Sequence, residues 1–178
     1  MKTRTAKTDV WGDVYGEDPG HLGLVLVAIM TAATKLQSER GKSDQFRLNM
    51  SRFFRYYMKL SQEFDDVLPM FAHRSSMEGY YSRICDSALS SALMLGLRVT
   101  NPLFRYLEID EDSATMEAFL DRTMPKALAH KVGRRVEEIG RRLLEMSEED
   151  EVEQTRQSEI QEKAFIERLE RRLSAAGQ

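Results

Sequence analysis

The sequence predicts an all-α protein: a single bundle of about six helices, with an irregular N-terminal arm and a charged C-terminal helix. Three observations carry this. Phe46, Met50, Phe53, Tyr57, Leu60, Phe64 and Val67 recur at alternating spacings of four and three, the mark of one helix face. The four prolines and ten glycines fall mostly between such patterns. No stretch alternates apolar and polar residues as a half-buried strand does, and no internal repeat is visible. The expected division is arm 1–20, bundle 21–146 and charged helix 147–178.

Residues 1–20 are polar and rich in turn formers, without periodicity. A helix follows from about His21 to Arg40, stopped by Gly41. Ser43 can cap the next by accepting from a free backbone N–H. That second helix covers roughly 44–68 and contains the seven-residue seam; Pro69 ends it. Ser75 and Glu78 have capping-box spacing and open a third helix over about 76–98. Its middle, SALSSALMLGL, is almost free of charge, which reads as the buried centre of the bundle. The core then includes Phe53, Tyr57, Phe64, Ile84, Leu89 and Leu95.

Asn101-Pro102 suits the cap and first position of a short helix. An acidic turn, Asp110 to Asp112, precedes a helix over 113–123. Pro125 starts another, with Leu128, Val132, Val136, Ile139, Leu143 and Met146 along one side. Ser147 with Asp150 caps a final helix to about 174, or the two helices are one long one.

Composition narrows the function. At 178 residues the chain holds one domain with a sizeable core, and its net charge of −3 specifies neither an acidic nor a basic partner. Cys85 stands alone, so no intramolecular disulfide can form; it sits amid apolar residues, where a thiol is usually inert. The longest apolar run, Leu22 to Ala33, is about half a membrane span and reads as a buried helix. The basic residues at 2, 4 and 7 are followed by Asp9, Asp13, Glu17 and Asp18, which a secretory signal would not carry. The expected setting is the cytoplasm, with no membrane contact.

Catalysis and metal binding find little support. His21, His73 and His130 are scattered, and no phosphate loop, dinucleotide fingerprint or nucleophile elbow is present. The acidic run Glu145 to Glu153 lacks the spacing and glycine of a calcium loop. The expectation is a non-enzymatic protein without cofactor or metal.

Two kinds of interaction remain. In SRFFRYYMKL (51–60), aromatic rings interleave with Arg52, Arg55 and Lys59, as a single-strand nucleic-acid groove requires. Helical geometry separates them, with Phe53 and Tyr57 on the seam and the three bases on another face. Within 126–142, pairs at i,i+4 such as Arg134–Glu138 are ordinary for an exposed helix, each worth about 0.2–0.5 kcal/mol. Arg52, Arg55, Lys59, Lys131, Arg134 and Arg135 are therefore the second choice, as contacts to nucleic-acid backbone.

The first choice is an adaptor or assembly subunit that binds another protein or itself. Trp11 and Tyr15 would anchor the arm in a partner's pocket. Residues 145–178 carry ten acids and five bases, a net of −5, leaving nineteen acids and twenty-one bases, or +2, for the rest. In that tail the stripe Ile166, Leu169 and Leu173 is the apolar contact, too weak to hold the whole helix to a core.

Overall fold

The computed structural model describes residues 14–15, 18–42, 45–69, 74–76, 79–81, 83–101, 103 and 105–176; for residues 19, 74–76, 79–81, 83–85, 169–170 and 172–176 it describes the backbone only. The chain forms two compact units, a body of residues 1–144 and a tail of residues 145–178. In order come α1 (Pro19–Glu39), β1 (Leu48–Asn49), α2 (Met50–Glu63), β2 (Arg74–Ser76), β3 (Gly79–Tyr81) and α3 (Arg83–Leu95). Then follow β4 (Leu97–Thr100), β5 (Tyr106–Ile109), α4 (Ser113–Thr123), α5 (Lys126–Val132) and α6 (Arg135–Ala176). The fold is predominantly α, as the sequence predicts.

Helix α1 is the centre of the body, and α3 is not. Every residue from Leu22 to Thr31 is buried. The Asp18 carboxylate accepts from the Gly20 N–H at 2.8 Å, Pro19 takes the first turn, and Gly41 closes the end at φ +68°. Thr31 and Thr34 are buried but satisfied, donating to their own helix at the carbonyls of Val27 and Met30. By length and composition Gly20–Glu39 could cross a membrane, yet 67% of its most apolar window is buried in this fold; a core helix passes the same test.

Two glycines set how closely α1 is approached. A Cβ on Gly23 would meet Ser91 Cβ at 2.8 Å and Ala92 N at 3.0 Å, so α3 lies against it through small residues. A Cβ on Gly140 would meet Ala32 Cβ at 2.8 Å, which brings the first turns of α6 equally near. In α3, Ala88, Leu89 and Ala92 are buried while Ser87, Ser90, Leu93 and Met94 are exposed. Its lack of charge reflects a solvated face of small and apolar residues rather than burial all round.

Three expected helical boundaries give way to strands. Phe46 and Leu48 are buried with Arg47 exposed between them, an alternation that continues into β1. Helix α2 therefore starts at Met50, where the Asn49 side chain accepts from the Ser51 N–H at 2.9 Å; Ser43 lies outside the described residues. Ser75 lies in the β2–β3 hairpin, paired with Tyr80, and α3 begins only at Arg83. Asn101 opens no helix either. Asn101 and Arg105 take positive φ, +54° and +48°, in the turn of a hairpin in which Arg105 N–H donates to Asn101 O at 2.7 Å.

That hairpin and β1 form an antiparallel sheet in the order β1-β5-β4, with Leu48 opposite Leu107 and Arg98 opposite Glu108. Leu48, Leu97, Leu107 and Ile109 lie on its inner face and are at most 2% exposed. The later helices follow the sequence more closely. Asp112 caps α4 by accepting from the Thr115 N–H at 2.9 Å, and these hydrogen bonds hold its carboxyl below the usual range. The break within 125–146 falls at Gly133 (φ +35°), between α5 and α6. Ser147 is interior to α6 and caps nothing, so the long-helix alternative is the one realised from Arg135 onward.

Of the expected core, Phe53, Tyr57 and Leu89 are buried, Phe64 and Leu95 are half-buried, and the Ile84 side chain is outside the described set.

Candidate interaction surfaces

In the tail, every residue from 151 to 163 is exposed. Helix continuity there rests on local bonds, such as Gln157 Nε2 donating to Glu153 Oε1 at 3.0 Å and Arg171 meeting Glu167 at 3.3 Å. Four large apolar side chains stand in the open: Val152 (70% exposed), Ile160 (57%), Phe165 (60%) and Ile166 (45%). With 3.6 residues per turn, positions 165, 166, 169 and 173 fall on an arc of about 100°. The structure thus leaves Ile166 accessible and adds Phe165, which the sequence reading missed. The backbone carries Leu169 and Leu173 along the same side; their side chains are outside the described set.

The N-terminal anchor divides. Trp11 lies outside the described residues. Tyr15 contradicts the expectation: it is 1% exposed, its carbonyl lies 3.1 Å from His21 Nδ1, and burial pushes its phenol well above the ordinary range. A ring spent inside its own body offers no anchor to a partner.

The basic faces are also less free than their sequence suggests. On α2, Phe53, Tyr56 and Tyr57 are buried, and the Tyr57 hydroxyl donates to Pro69 O at 2.9 Å. Arg55 and Lys59 are exposed and Arg52 half-buried, with the Arg55 guanidinium 5.4 Å from the Tyr56 ring centroid. The rings therefore pack inward while the charges face out, and no stacking groove results. Lys131 and Arg134 are exposed, but Arg135 is committed to structure. Its guanidinium reaches Asp66 Oδ2 at 3.0 Å and Glu138 Oε2 at 2.7 Å, and lies 5.7 Å from the Phe64 ring centroid. Arg142 pairs with Glu63 at 3.0 Å, so Arg135 and Arg142 tie α6 to the end of α2 and the turn that follows it.

Two further features were hidden in the sequence. On the outer side of the sheet Glu108 is wholly buried; Arg98 Nε donates to its Oε1 at 2.8 Å, and Arg47 Nε lies 2.7 Å from its Oε2 as an ion pair without hydrogen-bond alignment. A carboxylate taken out of water requires such partners. Nearby, the end of α3, β4 and the following turn leave Leu93 (37% exposed), Met94 (88%), Val99 (40%) and Leu103 (88%) uncovered.

A cleft of about 210 Å³ lies between α1, α4 and α6, lined by Lys35, Glu39, Glu117, Glu137 and Arg141 beside Ala32 and Leu36. Lys35 Nζ contacts Glu117 Oε1 at 2.7 Å, and this bond and charge raise its pKa. An amine that serves as nucleophile or base needs the opposite shift. Among the described residues no group of three or more His, Cys, Asp or Glu could hold a metal ion.

No family model, curated protein or solved structure matches this chain.

Proposed function

We propose that this chain is a non-enzymatic helical subunit of a larger protein assembly in the cytoplasm, joined to its partner by the C-terminal part of α6. The observation that supports this most is the exposure of Phe165 and Ile166 on a helix face that positions 169 and 173 extend. Large apolar side chains grouped on one exposed face mark association surfaces more often than isolated ones do. Their contacts must supply most of the affinity, because exposed ion pairs contribute about 1 kcal/mol or less.

The test replaces Ile166, Leu169 and Leu173 together with Ser. In the protein isolated from its source, native mass spectrometry is expected to show the variant as a lone chain where the parent travels in a complex. Its melting temperature should move by less than about 2 °C if the tail lies outside the core. An unchanged complex would refute this use of the tail. Unfolding of the whole chain would show the tail to be part of the core.

A second reading, contact with nucleic-acid backbone, is favoured by one observation: Arg52 and Lys59 share a face of α2 and have no carboxylate partner among the described residues. With Arg135 occupied, that contact is expected to be weak and sequence-independent. Anisotropy of a labelled single-stranded oligonucleotide should show binding that disappears by physiological salt, because the contact releases counterions. Submicromolar binding at that salt, removed by Arg52→Ala/Arg55→Ala/Lys59→Ala, would put this reading first.

A further inference from the structure

Among the described methionines, one differs sharply from the rest in its access to water. Met94 is 88% exposed on the last turn of α3, whereas Met30, Met116 and Met146 are at most 3% exposed and Met50, Met58 and Met124 are half-buried. The contrast is greatest at the joint between α3 and β4. Met116 packs its Cε so closely beneath Gly96 that a Cβ on that glycine would collide with it. Met94, two residues before the same glycine, stands in solvent. The surface it belongs to is apolar, with Leu93, Val99 and Leu103 also exposed.

A thioether is an apolar group that a mild oxidant turns polar while the carbon chain stays intact. We propose that Met94 is a modification site, the position at which a peroxide converts the folded chain to its methionine sulfoxide. The sulfur lone pair attacks one peroxide oxygen, and the O–O bond breaks as the S–O bond forms. The proton on the transferred oxygen passes to the departing oxygen, which with hydrogen peroxide leaves as water. Sulfur loses two electrons and the peroxide gains them. At Met94 the new oxygen is hydrated where it forms, so the fold is undisturbed. At Met116 it would be a polar atom in the core without a partner. The product is a folded chain whose α3–β4 surface has exchanged an apolar group for a hydrogen-bond acceptor. Reductases specific for each sulfoxide epimer can reverse the change. The inference does not involve the tail and is independent of the assembly reading.

The test exposes the full chain to hydrogen peroxide and follows each methionine by peptide mass spectrometry over time. Met94 should oxidise at least about tenfold faster than Met30, Met116 and Met146, which wait on opening of the core. The chain oxidised at Met94 should leave a hydrophobic-interaction column earlier than the parent and melt within about 2 °C of it. Treatment with both epimer-specific reductases should restore the parent's retention. Met94→Leu keeps the surface apolar without a sulfur, so in that variant the peroxide-induced shift should be lost. Oxidation of Met30, Met116 or Met146 at a rate near that of Met94 overturns the proposal. So does a parent whose retention peroxide leaves unchanged, or a Met94→Leu chain that shifts as the parent does.

Discussion

Phe53→Ala is expected to destabilise the body by about 3–5 kcal/mol, the usual cost of removing a buried aromatic ring. Phe53 is 4% exposed and lines one small apolar cavity together with Leu26 and Ile29 of α1, Leu68, and Leu143 of α6. Its ring also stands edge-on to Phe54, with centroids 5.6 Å apart. The alanine would therefore leave a void bordered by three helices, none of which can close on it without losing contacts elsewhere. Thermal melting should fall by about 10 °C or more, and the urea midpoint should drop with an unchanged slope. Phe54→Ala, at a half-buried position, is the control and should cost far less. A loss under about 2 °C for Phe53→Ala would mean that this ring does not anchor the core.

Gly140→Val is expected to cost about 3 kcal/mol, the upper end for overpacking, and Gly140→Ala less but with the same sign. The sign is the informative part. In an exposed helix alanine is better than glycine by about 1 kcal/mol, so propensity alone predicts stabilisation. Here the new Cβ would stand 2.8 Å from Ala32 Cβ and 3.1 Å from Ala33 N and Ile29 O, of which the latter two are backbone atoms of α1. Neither can swing aside, so the helices must part. Differential scanning calorimetry decides it: a higher melting point for Gly140→Ala would show that α6 does not approach α1 this closely.

The helices were legible where the pattern was long. The apolar run at Leu22–Ala33 sits in a helix whose ends match its proline and glycine signals, whereas the seam through Phe53, Tyr57 and Leu60 sits in a helix that stops at Glu63, short of the end predicted before Pro69. The strands were not legible, because β1, β4 and β5 have two to four residues, too few for a period of two to stand out. Phe46 lies four residues before Met50 and so imitates a further turn of the helix, although it precedes β1 and lies outside α2. Asn101-Pro102 suits a helix start and a hairpin turn alike, and only the pairing of Thr100 with Tyr106 decides between them.

Interaction surfaces were harder to read. Ile166 was found through its three-four spacing, whereas Phe165, one residue earlier, borders the same arc but breaks the count. Tyr15 stands in a segment too polar to build a core of its own, which suits a ring docked on a partner and a ring folded back on the body alike; burial decides for the second. The exposed Met94 and Leu103 carry no local signal at all. An apolar letter does not say whether another element covers it.

Gly96 is the whole connection between α3 and β4: the helix ends at Leu95 and the strand begins at Leu97. Its φ is +149°, and a Cβ there would collide with Met116 Cε, so the joint admits no other residue without strain. The same shortness leaves no slack in length. A strand turns over with each residue of shift, so one inserted amino acid would send Arg98 toward the core and Leu97 toward water, and Glu108 would lose a partner. Changes of length in this protein are therefore to be sought on the far side of β4, in the turn from Asn101 to Arg105, where Asn101, Leu103 and Arg105 are exposed.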